Sequence, residues 1–143
     1  MKLYLLITTA AFGILFNANC ASPQEEARFL ADVKSAIEKK DAKALLKLYC
    51  WDGVPDSIRS VVEKTTPRLL ELKVESIALV AASPESAKRE FVRDGVTYRF
   101  NLPLTKQVEV AHSSAEKKTN GKVTIPVGEK DGKLYITCTV PSK

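Results

Sequence analysis

The side chains able to do chemistry are few and far apart in this chain. His112 is its only histidine, so no multi-histidine metal site can form and any histidine-based catalysis must rest on that one ring. It falls in phase with Val108 and Val110 on an alternating stretch. On the concave side of a sheet, with a carboxylate beside it, it would be a general base. As a strand-end histidine with ordinary hydrogen bonds it would do no chemistry, and no carboxylate neighbour can be named. Trp51 and Asp52 follow a helical stripe in the turn Cys50-Trp51-Asp52-Gly53, close to Asp56. An aromatic beside two carboxylates can line a ligand mouth and tune a carboxyl towards neutrality; equally, Trp51 closes the core and Asp52 shapes the turn. Tyr98 shares a strand face with Val96, Phe100 and Leu102, and is the remaining candidate for a concave lining. Cys50 has no adjacent histidine to activate it as a nucleophile. No catalytic residue, cofactor motif or metal-ligand spacing emerges.

The cysteines bear more on location than on reaction. Met1-Lys2 precedes an uncharged run from Leu3 to Phe16 and the small polar stretch Asn17-Ala18-Asn19-Cys20-Ala21. That is the layout of a secretory signal, with an apolar segment too short to cross a bilayer. Residues 1–21 are therefore expected to be removed, leaving residues 22–143 as a single domain in the periplasm or outside the cell. Cys20 opens an alternative, a lipidated amino terminus anchored to the cell envelope, although Asn17 and Asn19 stand where a lipoprotein signal prefers an aliphatic and a small residue. In either case Cys50 and Cys138 remain as an even pair in a disulfide-permissive compartment. A bond between them would enclose 87 residues and stabilise the fold by ~4 kcal/mol on the chain-entropy model. The other reading is two buried free thiols.

Charge narrows the partners only slightly. The net charge is +5, or +4 once Lys2 leaves with the signal, and no Lys/Arg block is interleaved with aromatics, so nucleic acid is not an expected partner. Lys39, Lys43, Lys47 and the Lys117-Lys118 pair are lysines on outer faces, where solvation is the ordinary role and docking to an anionic envelope polymer or lipid headgroup the alternative.

These residues must be positioned by two unlike halves. Ser22-Pro23-Gln24-Glu25 is a helix start with a capping box, followed by Phe29, Leu30, Val33 and Ile37 on one face, which predicts a helix over about 23–39. Asp41 caps a second helix with Ala44, Leu45, Leu48 and Tyr49 as its stripe; Pro55 starts a third that ends at Thr66-Pro67 or one turn beyond. From Leu72 the period falls to two. Asp94-Gly95, Asn120-Gly121 and Asp131-Gly132 each predict a two-residue hairpin turn. With 73–81 this gives five to six strands in an antiparallel meander, and Pro126 marks a bulge or a sheet edge. Leu134, Ile136, Cys138 and Val140 share the inward face of the last strand. The expected class is α+β, with about three N-terminal helices on one face of a curved antiparallel sheet.

The run from Phe29 to Tyr49, two amphipathic helices broken at Lys40-Asp41, resembles the opening of nuclear-transport-factor-two-like domains, the group that includes ketosteroid isomerases and polyketide cyclases. The resemblance implies a cone of helices on a curved sheet. It carries no catalytic residue across, and this chain has only Trp51 to Val54 where that group places a hairpin between its second and third helices. Three functional readings follow. One is a non-catalytic exported module binding a small apolar ligand or an envelope protein between helices and sheet. Another is a small-pocket isomerase- or cyclase-type enzyme using a carboxylate or His112 as proton carrier. The last is a structural envelope lipoprotein, membrane-bound only through Cys20.

Overall fold

The computed structural model describes residues 20–87, 90–113 and 120–142; the expected signal segment up to residue 19 lies outside them, as does the Lys117-Lys118 pair. Helix α1 (Pro23–Glu38) starts at Ser22, whose hydroxyl accepts from the Glu25 amide at 3.1 Å. The capping box is only half made. The Glu25 carboxylate turns away from the Ser22 amide to hold Arg28 at 2.7 and 2.9 Å and to accept from the Leu134 amide at 3.2 Å. α1 thereby gains a polar tie to the sheet as well as the apolar one made by Phe29, Val33, Ala36 and Ile37, all buried.

Helix α2 (Ala42–Leu46) is capped by the Asp41 side chain at 2.9 Å and lasts little more than one turn. The expected stripe breaks after Leu46 because Leu48, Tyr49 and Cys50 straighten to pair with the sheet. Ile136 donates to the Leu48 carbonyl at 2.8 Å and Cys50 donates to the Ile136 carbonyl at 2.9 Å, a short parallel bridge. Helix α3 (Asp56–Leu70) runs through Pro67. The hydroxyls of Thr65 and Thr66 add hydrogen bonds to the Val61 and Val62 carbonyls in the preceding turn, where the proline weakens the ladder.

Among the described residues seven strands follow, with the short helix α4 (Pro84–Ala87) among them: β1 (Lys73–Ala81), β2 (Phe91–Arg93), β3 (Val96–Phe100), β4 (Leu104–Ser113), β5 (Asn120–Lys130), β6 (Lys133–Ile136) and β7 (Thr139–Pro141). The fold is α+β, as expected, but the strands are not one meander. A four-stranded antiparallel sheet has the order β1-β4-β5-β6, and β2-β3-β7 form a second, smaller one. The chain crosses between them at Thr137-Cys138. Leu134, Ile136, Cys138 and Val140 are buried as their phase requires, and Thr137 is buried too because both its sides are covered at the crossing.

Asp94-Gly95 and Asp131-Gly132 turn with φ of 51° and 75°, and of 53° and 72°, the left-handed pairs that type I′ hairpins need. Asn120-Gly121 is not a turn; both residues lie in β5. Gly121 is required there for another reason. A Cβ at that position would sit 2.5 Å from Cε1 of His112, its partner across β4–β5. Pro126 does not bulge β5 either: its pairing with Gln107 is regular, and the β4–β5 irregularity falls at Leu104/Lys106. The core lies between α1, α2 and the large sheet, where Phe29, Val33, Leu45, Val108, Val110 and Val127 are fully or almost fully enclosed.

Candidate functional site

The cleft arises from unequal strand lengths. β5 pairs with β4 from Asn120 to Gly128, but β6 covers β5 only from Val127 to Lys130. Beyond Ile136 the chain departs for the small sheet, with the Thr137 amide giving one last bond to the Pro126 carbonyl at 3.0 Å. The first half of β5 is therefore without a neighbour on that side among the described residues. Helix α3 stands over the gap without closing it. Its inward stripe of Ile58, Val62 and Leu69 is only half-buried, and Val61 is 52% exposed.

The resulting cleft has a volume of about 310 Å3. One wall is the α3 stripe with Thr65 and Thr66, the other the β5 edge from Val123 to Pro126, and Tyr49, Ile136 and Cys138 form the end. Among the described lining residues the polar groups are the hydroxyls of Thr65, Thr66, Thr124, Thr137 and Thr139, the Tyr49 phenol and the Cys138 thiol, with no carboxylate, imidazole or cation. Burial raises the Tyr49 phenol above its ordinary range, opposed in part by hydrogen bonding with Thr66. Burial, with the Cys50 thiol nearby, pushes Cys138 up to about 11. Neither group ionises near neutrality, so the cleft presents a neutral, hydroxyl-studded apolar surface.

The residues singled out from sequence are not gathered here. Trp51 packs behind the cleft, stacked on Tyr49 with ring centroids 5.3 Å apart, its indole N–H donating to the Leu46 carbonyl at 3.2 Å and the Arg59 guanidinium 4.6 Å from its ring. Asp52 is exposed and ion-paired with Lys130, which holds its carboxyl below the usual range. Tyr98 stacks on Phe91 at 5.8 Å and lines a smaller depression with Ile58 and Val61. His112 lies across the sheet against Gly121, and its buried Nδ1 has no hydrogen-bond partner among the described residues. Cys20 is exposed at the first described position.

Cys50 and Cys138 are free buried thiols, the second of the two readings that the sequence leaves open. Cys138 faces the cleft. What joins the two positions is the Asn101 carboxamide. Its Nδ2 donates to the Cys50 carbonyl at 2.8 Å and the Asp52 carbonyl at 3.2 Å, and its Oδ1 accepts from the Cys138 amide at 2.9 Å.

Tyr49, Val62, Thr66, Leu69 and Thr137 were not identified from sequence as site residues. The legible signal was Pro126, a residue that fits within a strand only where its missing N–H faces no partner. Among the described residues no helix is long and apolar enough to cross a membrane, and no cluster of metal-ligating side chains occurs. No family model, curated protein or solved structure matches this chain.

Proposed function

We propose that the chain is an exported, non-catalytic binding module whose site is the cleft between α3 and the uncovered half of β5. The observation that carries this reading is the half-buried stripe of α3. An amphipathic helix normally buries its apolar face against the core. Here Ile58, Val62 and Leu69 line the cleft and stay only half-buried, which leaves apolar surface for an occupant to cover. The volume lies at the low end of ligand-site sizes, ~300–1,000 Å3. The proton-transfer reading has less support, because the described lining offers no group that titrates near neutrality. Export rests on the Leu3–Phe16 segment and its polar boundary.

The test uses the neutral fluorescent probe N-phenyl-1-naphthylamine. Saturable one-to-one binding, lost in a folded Val62→Trp variant that fills the cleft, is the expected result. A wild-type protein that gives no saturable enhancement overturns the reading.

A further inference from the structure

The cleft is lined not only by side chains but by backbone. The Pro126 carbonyl points to the open side of β5, since it receives the Thr137 amide. In an antiparallel strand the N–H and C=O of one residue point the same way, and the direction alternates along the chain. The register with β4 is unbroken from Val127 back to Asn120. The N–H and C=O groups of Thr124 and Lys122 therefore also point to the open side, a donor and an acceptor recurring every second residue, ~7 Å apart. No partner for them occurs among the described residues.

A purely apolar occupant would strip water from these groups and give nothing back, leaving buried polar atoms unsatisfied. We infer that the occupant is an extended peptide segment of a partner protein, which adds a strand to β5 beside Lys122 and Thr124. This rests on the cleft being the binding site and names its class of ligand. A strand satisfies both backbone pairs and sends alternate side chains under Val62 and Leu69, so those positions of the peptide are apolar. Strand edges are commonly guarded by lysine. Here the guard is withdrawn, because the Lys122 ammonium is held at 2.9 Å by Glu109 of β4, on the paired side of the strand.

Capped heptapeptides alternating Val, Leu or Phe with Thr are titrated against the whole mature domain, followed by Trp51 fluorescence and by hydrogen exchange at single amides. Binding with slowed exchange at Lys122 and Thr124 is expected. Thr124→Pro removes the outward N–H and no β4 bond, the arrangement that Pro126 already shows to be tolerated. It should weaken the peptides about tenfold, as expected for one lost hydrogen bond of ~1.4 kcal/mol. Peptides that fail to bind while that probe binds overturn the strand-addition inference and leave the cleft reading standing. Peptide binding without protection of the two amides, or unaffected by Thr124→Pro, also overturns it. Failure of both probe and peptides removes both readings.

Discussion

Asn101→Ala should be among the most damaging single changes in the domain outside its apolar core. Asn101 is half-buried, and one carboxamide serves the turn after α2 and the crossing between the two sheets: the Cys50 and Asp52 carbonyls and the Cys138 amide. Its own backbone amide also donates to the Cys138 carbonyl at 2.9 Å, a bond the substitution leaves in place. Each side-chain bond is worth ~1 kcal/mol net, and a buried partner left unpaired costs ~1–3 kcal/mol. The Asp52 contact is exposed and water can replace it; the other two are part-buried. The expected loss is about 2–4 kcal/mol, or roughly 10 °C in Tm for a domain of this size. Urea denaturation at pH 7 with an unchanged m-value measures it. Asn101→Asp retains shape and the acceptor for Cys138 but sets oxygen against both carbonyls, so it should be at least as destabilising. A loss below ~1 kcal/mol for the alanine variant, or a tolerated aspartate, would refute this account of the hub.

Gly121→Val raises strand propensity yet drives a Cβ into the His112 ring, 2.5 Å away. Overpacking should win, costing ~1–3 kcal/mol by denaturant titration; an unchanged or raised midpoint contradicts it. The Arg28 hydrogen bonds hold the Glu25 carboxyl below its ordinary value. A lowered folded-state value means stability present above the unfolded value and lost as the pH falls through the folded one. Glu25→Gln should therefore be less stable by about 1 kcal/mol at pH 7, with the gap closing below about pH 4; a gap independent of pH sinks the idea. The Cys138 thiol, raised to about 11, is roughly one-thousandth thiolate at pH 8. Its alkylation by iodoacetamide in the folded protein, resolved from Cys20 and Cys50 by peptide mapping, should climb about tenfold per pH unit and slow when the cleft is occupied. A rate that levels off by pH 8 would contradict the raised value of the thiol, and one unchanged by an occupant would place Cys138 outside the cleft.

What could be read from sequence was what is local. Ser22, Asp41 and the Asp-Gly pairs act within a few residues of themselves, so the helix starts and two hairpins stand where the sequence places them. Asn120-Gly121 has the same local chemistry, but the glycine answers to the His112 ring across the sheet. α2 is short because Leu48 and Cys50 find hydrogen bonds on Ile136, 88 and 86 positions away, and periodicity carries no record of that exchange. The cleft was the least legible part. It is made by β6 ending at Ile136 while β5 extends back to Asn120; the difference between two strand lengths leaves no motif. The phase shared by Leu134, Ile136, Cys138 and Val140 survived the crossing between sheets, since all four are buried. Whether Cys138 is bonded to Cys50 or free did not follow from it, because a shared phase fixes the side a thiol faces and not its partner.

β1 and β4 are neighbours in the large sheet, yet the chain between them, residues 82–103, makes an excursion through α4 and the β2–β3 hairpin. The large sheet's register is set by β1, β4, β5 and β6 and does not depend on how long that excursion is. Closing a loop twice as long costs only ~0.6 kcal/mol. The excursion is anchored at its far end, where β3 pairs with β7 and Asn101 holds the crossing, but the exposed Asp94-Gly95 tip makes only the Arg93–Asp94 ion pair within its own hairpin and no hydrogen bond to another element among the described residues. That tip is where the architecture can lengthen at least cost: a peptide tag or a whole domain inserted between Asp94 and Gly95 would travel as a passenger on the hairpin, leaving the cleft under α3 and the strands that form it as they are.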